Sequence, residues 1–175
     1  MKHATILAAL MLGAAFIPST ARADNGLLSL GIGDTGIFKD QSDAVDFRVE
    51  YRDNNPLIWQ IKPTVGAEFT THGQVYGYGG LYWDWPVQPH WYITPSFDAG
   101  LYHDGGGPDL GSAFEFRYQI EGSYELNNND RVSLALSQTS NLGIDDDDPG
   151  TDALLLYYHM PLSRLTGSFS SSNGQ

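Results

Sequence analysis

Ser140 and Asp152 are the residues of this chain whose types and spacing point most directly to chemistry. They stand in Gln138-Thr139-Ser140-Asn141-Leu142-Gly143 and Asp148-Pro149-Gly150-Thr151-Asp152, on either side of an acidic loop. A serine hydroxyl becomes a nucleophile beside a base, and that base needs an acid to orient it. Serine and carboxylate are two of the three parts of an esterase triad. Histidine is the usual base, because its pKa lies near working pH. A position two residues before Ser140, on the same strand face, suits such a base. Gln138 occupies it. Glutamine hydrogen-bonds but does not accept a proton at neutral pH.

Strand parity places these groups. Val132, Leu134 and Leu136 share a face with Gln138 and Ser140. Asp152 shares one with Leu154, Leu156 and Tyr158. If those apolar faces touch lipid, Ser140 and Asp152 sit at the outer end of a lipid-facing stripe. A hairpin register pairing Ser140 with Asp152 encloses the loop Asn141 to Thr151 symmetrically, with Cβ atoms ~5 Å apart. Polar groups on a lipid face are costly without a purpose, and an outer-leaflet ester supplies one.

The rest of the chain must hold those strands. Helical periodicity is absent after residue 23, and alternation with period two is widespread. Val45, Phe47, Val49 and Tyr51 oppose Asp46, Arg48, Glu50 and Arg52. Trp59, Ile61, Val65, Ala67 and Phe69 oppose Gln60, Lys62, Thr64 and Glu68. Similar runs follow at Trp91 to Leu101, Phe114 to Glu121 and Val132 to Ser137. The runs Leu27 to Phe38, Gln74 to Asp84 and Thr151 to Leu162 alternate less clearly. Turn residues separate them at Asp53 to Pro56, Pro86 to Pro89 and Asn127 to Asp130, and at four other loops assigned to the opposite side. The pattern predicts an all-β fold, an eight-stranded antiparallel transmembrane up-and-down β-barrel with short periplasmic turns. Asp46, Arg48, Glu50, Arg52, Lys62, Glu68, Glu115, Arg117 and Glu121 would fill its lumen. A soluble barrel with apolar faces turned inward fits the same periodicity. The mixed charges of the polar faces, and Trp59, Trp83, Trp85 and Trp91 clustered near the short turns, favour the membrane reading.

Composition agrees. Lys2 and His3, an apolar run from Ala4 to Ile17, and Ala21-Arg22-Ala23 read as a secretory signal peptide, residues 1–23. The barrel domain is expected over 24–163, with a flexible tail at 164–175. The chain has no cysteine, so disulfides and thiolate metal sites are excluded. After residue 23 there are 7 basic and 21 acidic residues, a net charge of −14 that repels nucleic acid. No later segment is long and apolar enough for a membrane helix, so any spanning structure must be a closed barrel.

With these elements in place, the chain resembles the lipid A 3-O-deacylases of Gram-negative outer membranes, often named acyloxyacyl hydrolases. Their layout of signal peptide, eight-stranded barrel, His-x-Ser-Asn-x-Gly motif and Asn-Pro-Gly-x-Glu loop is similar over nearly the whole mature chain. The matching residues are Gln138 to Gly143 and Asp148 to Asp152. The resemblance implies Ser140 as nucleophile, Asp152 in the acid's place, and Asn141 with Gly143 at an oxyanion hole. It implies lipid A in the outer leaflet as partner, the cell outer membrane as location, and no cofactor or metal. A homodimer is left open. Asp for Glu shortens the acid by one methylene, and Gln138 replaces the family's histidine. A non-catalytic, lipid-binding or structural barrel is the alternative, and a soluble periplasmic ligand carrier is a third.

The other motifs read as ordinary structure. His159 is about 23 Å along a strand from Asp152 and of opposite parity. His72, His90 and His103 read with it as interfacial or loop histidines. Asp145 to Asp148 lacks the spaced ligands and glycine of an EF-hand and reads as a solvated acidic loop. A loose divalent cation shared with lipid phosphates is its milder functional version. Gly105-Gly106-Gly107-Pro108 reads as a mobile turn, not a phosphate loop.

Overall fold

Alternation with period two becomes a closed wall. The computed structural model describes residues 26–38, 44–144 and 149–165. The segment expected to be a signal peptide, the acidic run Asp145 to Asp148 and the tail beyond Leu165 lie outside the described residues. The strands are β1 (Leu27–Thr35), β2 (Val45–Arg52), β3 (Ile61–Thr70), β4 (Val75–Trp83), β5 (Trp85–Gln88), β6 (Trp91–His103), β7 (Phe114–Glu125), β8 (Arg131–Ser140) and β9 (Thr151–Pro161). All neighbours pair antiparallel. β1 pairs with β9 and β4 with β6, so eight strands close into a barrel with β5 as a short extension beside β6.

The lumen is charged and packed. The Arg117 guanidinium reaches Glu50 at 3.0 Å and Asp98 at 2.9 Å, and lies over the Tyr78 ring at 3.8 Å. Arg52 bridges Glu50 and Glu121, each at 2.8 Å. Arg48 bridges Asp46 at 2.7 Å and Glu68 at 3.0 Å. These charges come from opposite walls, so the network ties the cylinder across its own axis. Mutual pairing is what makes their removal from water tolerable. The outer faces carry exposed Leu30, Ile32, Val49, Phe97, Leu134 and Leu156. A continuous apolar exterior around a polar filling is the pattern of a lipid-embedded barrel. No helix among the described residues is long and apolar enough to cross a membrane, so the strands do the crossing.

Four details differ from the sequence reading. The break expected at Pro86 to Pro89 contains β5, because β6 outruns β4 and its lower end needs a partner. Pro86 is tolerated there because the other edge of β5 is unpaired. Trp59 is not in a strand: β3 begins at Ile61, and Trp59 sits in a turn with φ of 53°. The tail expected from 164 onward begins with a helical turn over 162–165, and Arg164 donates to the Asp130 carboxylate. His159, read as interfacial, points into the lumen. Its Nδ1 lies 2.7 Å from Ser29 Oγ, and its Nε2 lies 2.6 Å from Ser133 Oγ and 3.0 Å from Glu121 Oε1.

Candidate functional site

β8 and β9 carry the candidate residues to the end of the barrel opposite the chain termini. Gln138 faces outward and is exposed, as parity requires of the row Leu134, Leu136, Gln138. Ser140 and Asp152 have outward parity too, yet are only 7% and 6% exposed. Residues 36–38 lie over Asp152. Gly36 N–H donates to the Asp152 carbonyl at 2.7 Å, and Phe38 N–H donates to Asp152 Oδ2 at 2.9 Å. The other carboxylate oxygen, Oδ1, has no hydrogen-bond partner among the described residues.

The register corrects the sequence expectation. Asp152 stands directly opposite Gln138, not Ser140, and Thr139 pairs with Thr151. Ser140 pairs on its other side with Phe116. Ser140 and Asp152 are therefore diagonal neighbours, with a separation of roughly 7–8 Å at the backbone. A long loop does not dictate register, whereas packing along the strands does. Here Ala135, Ala153, Leu155 and Tyr157 pack as one buried cluster inside the barrel and fix the pairing.

The corrected register has a chemical reading. An acid that orients a base must face the base, and the nucleophile must lie beside it. Gln138 faces Asp152 across the ladder and lies two residues, ~7 Å, from Ser140 along its own strand. The Gln138 amide thus stands between a carboxylate and a hydroxyl.

Asn141 and Gly143 are already engaged with each other. Gly143 N–H donates to Asn141 Oδ1 at 2.8 Å, and Asn141 Nδ2 donates to the Leu110 carbonyl at 2.9 Å. Asn141 is fully buried. The chain reverses here through two left-handed residues, Leu142 at φ 58° and Gly143 at φ 74°. Glycine fits that conformation freely, while leucine is held there by its surroundings. The pair braces the turn after Ser140 and ties it to the loop between β6 and β7.

None of the four histidines of the described chain joins the site. His159 is inside the lumen, and His90 is at the short-turn end. His72 and His103 flank β4 and β6, on the far side of β7 from β8. Among the described residues no three His, Asp or Glu side chains converge as a metal site. Below Gln138 the outer wall carries a shallow apolar depression lined by Ile93, Ile120, Gly122, Leu134, Leu136 and Leu154. Gly122 opens it, since even a Cβ there would meet nothing within 4 Å. This feature is not legible from any one segment, because it arises from neighbours on four different strands.

A closed barrel with an apolar exterior and an outward polar site near one rim is an outer-membrane β-barrel with a membrane-surface site. The family model for lipid A 3-O-deacylase (PagL) matches residues 44–161, and the chain belongs to that family. The crystal structure of the outer membrane enzyme PagL superposes with a TM-score of 0.54 at 17% identity, covering 77% of this chain and 99% of that one. A de novo designed transmembrane β-barrel gives a TM-score of 0.55 at 9% identity, covering 78% and 96%. These two likenesses speak to the fold alone. No curated protein sequence matches the chain. Family and barrel together locate the protein in the outer membrane of a Gram-negative cell.

Proposed function

We propose that this protein engages lipid A in the outer leaflet, and that its site is one residue short of an ester hydrolase. The observation that carries this reading is Gln138 standing opposite Asp152 and beside Ser140, where a base would have to be. Ser140 holds the nucleophile's place and Asp152 the acid's. The apolar depression below Gln138 offers the acyl chain a path along the barrel wall. Gly143 N–H would serve an oxyanion only by releasing Asn141 Oδ1, and Asn141 would serve one with an N–H other than that given to the Leu110 carbonyl. All these residues come from one chain, so the site needs no second copy.

Without a base, Ser140 keeps its proton and turnover is slow. Loss of a triad's base lowers turnover by about 10⁶. In a Gln138→His variant, one imidazole nitrogen would take the Ser140 proton as Oγ attacks the ester carbon, and the other would donate to Asp152. The alkoxide would leave with that proton, and water would release the fatty acid.

The test is mass analysis of lipid A from cells expressing the native chain, Gln138→His, or Gln138→His with Ser140→Ala. A deacylated species with Gln138→His, lost on adding Ser140→Ala, supports the reading. Unchanged acyl content in the histidine variant refutes the esterase ancestry of the site. Unchanged acyl content in the native chain supports a binding barrel over an active enzyme.

A further inference from the structure

Two protrusions at the short-turn end carry large exposed apolar side chains. The first is the β2–β3 connection. Leu57 N–H donates to the Ile61 carbonyl at 2.8 Å and Ile61 N–H to the Ile58 carbonyl at 3.0 Å, so residues 57–61 form a miniature hairpin. Trp59 is at the first central position of its turn, with φ of 53°. Glycine or asparagine ordinarily occupies such a position, because a Cβ is strained there. Trp59 is also 85% exposed, and Leu57 and Ile58 beside it are exposed too. A strained backbone holding the largest apolar side chain into open space asks for a function.

The second protrusion is β5 with the start of β6. All four β5 residues are exposed, and only β6 pairs with them. The Trp83 and Trp85 rings stack with centroids 5.6 Å apart, and Trp91 lies against Tyr124 at 5.0 Å. The two protrusions are neighbours, since Ile61 pairs with Trp83. Residues 54–61 and 85–93 contain no Asp, Glu, Lys or Arg, in a chain with 21 acidic residues. The other wall of this end is different: there Arg164, Asp130 and Tyr158 form a polar clasp.

We infer that the Leu57–Trp59 tip and the β5 hairpin form a one-sided aromatic foot that rests in the phospholipid leaflet on the periplasmic side of the membrane. The foot is continuous with the lipid-facing band through Ile61, Trp83 and Ile93. Indole rings are favoured at such an interface, which offers apolar contact and a polar partner together. Burial there offsets the turn strain at Trp59. A soluble periplasmic partner would need a surface that stays in water, and an uncharged tip of this kind is poorly suited to water. The foot supports only the β3–β7 wall, so it sets the tilt of the barrel.

The chain has no cysteine, so single labels are clean. Ile58→Cys, Val87→Cys and Asn127→Cys would each carry an environment-sensitive fluorophore, with the full barrel reconstituted into phosphatidylcholine vesicles. Asn127 is an exposed residue of the β7–β8 turn and reports the aqueous side. The foot predicts blue-shifted emission at 58 and 87, quenched several-fold more by nitroxide-labelled lipid than at 127 and several-fold less by iodide. Adding Trp59→Gly, which suits the left-handed turn, should keep the barrel folded and move the label at 58 toward water. Iodide quenching at 58 equal to that at 127 overturns the inference. So does a label at 58 that is aqueous in pure lipid and shielded only in native membranes, since that would indicate a protein partner.

Discussion

Asp152 on β9 faces Gln138 on β8 in one antiparallel rung, with Ser140 diagonal to the pair. Under the proposed reading this relation orders the three groups as acid, base position and nucleophile, so that a substitution at the single position 138 would decide the chemistry. Gln138→His should produce ester hydrolysis in the purified, detergent-solubilised barrel, exceeding the native rate by about three to four orders of magnitude. The rate should climb as the introduced imidazole loses its proton, around pH 6.5. Kinetics on an acyl ester across pH 5 to 9 check both. A flat profile at the native rate would show that Ser140 is not the nucleophile.

Asp152 has two jobs that separate by variant. Its Oδ2 accepts the Phe38 N–H. Asp152→Ala removes the acceptor of that part-buried donor, at about 0.5–1.5 kcal/mol. The expected signs are a lower unfolding midpoint and faster proteolysis after β1. Asp152→Asn keeps an acceptor and should spare stability. In the Gln138→His background it should still cut turnover strongly, because a neutral amide no longer steadies an imidazolium.

The barrel and its parity were legible in the sequence because alternation survives in nearly every strand. Phe47 out and Arg48 in is a statement that neighbouring letters carry. Register across the last hairpin was not legible. The loop after Ser140 is too long to set it, and the deciding contacts, Ala135 with Ala153 and Leu155, are lumenal. The covering of Asp152 by residues 36–38 was invisible for the same reason: it joins segments 114 residues apart. His159 reads as interfacial from its residue type alone, whereas its parity, opposite to that of Asp152, turns it into the lumen. Trp59 was assigned to a strand because its neighbours alternate, and alternation does not reveal a positive φ.

Arg117 supports the wall behind the site, pairing with Thr139 along the ladder and with Glu50 and Asp98 across the lumen. Arg117→Met should destabilise the barrel by about 3–5 kcal/mol, the usual result of stripping a buried ion pair of one partner. Adding Asp98→Asn removes one stranded charge and should recover part of the loss. Urea unfolding in micelles, followed by tryptophan emission, measures both. No recovery in the double variant would mean that packing on Tyr78, not charge, is the main contribution of Arg117.

The clasp at the short-turn end should respond to acid. The hydrogen bond from Arg164, aided by Tyr158, holds the Asp130 carboxyl below its ordinary value against the opposing effect of burial. A depressed carboxyl stabilises the fold fully above the unfolded value, near 3.9, and loses that contribution as pH falls through the folded value. Protection of residues 162–165 against hydrogen exchange, corrected for the intrinsic rate at each pH, should therefore fall in strong acid and hold steady between pH 5 and 8. Arg164→Ala should remove the acid response and leave the residues exchanging fast throughout. An acid response that survives in that variant would assign it to another carboxylate.

Gly122 gives the last test, and it separates fold from ligand. A Cβ added there meets no atom within 4 Å and the position faces outward, so Gly122→Leu should fold as the native chain does. It should nevertheless fill the depression between Ile93 and Leu134, its partners on either side. Leu134 lies six residues below Ser140 on β8, or ~20 Å along the wall. An extended chain spans ~3.6 Å per three bonds, so that distance matches an acyl chain of about 16 bonds. In the Gln138→His background, Gly122→Leu should slow hydrolysis of long acyl esters several-fold while sparing short ones that end above Leu134. Equal slowing of both would point to a disturbed wall, and no slowing of either would mean that the acyl chain runs elsewhere on the barrel.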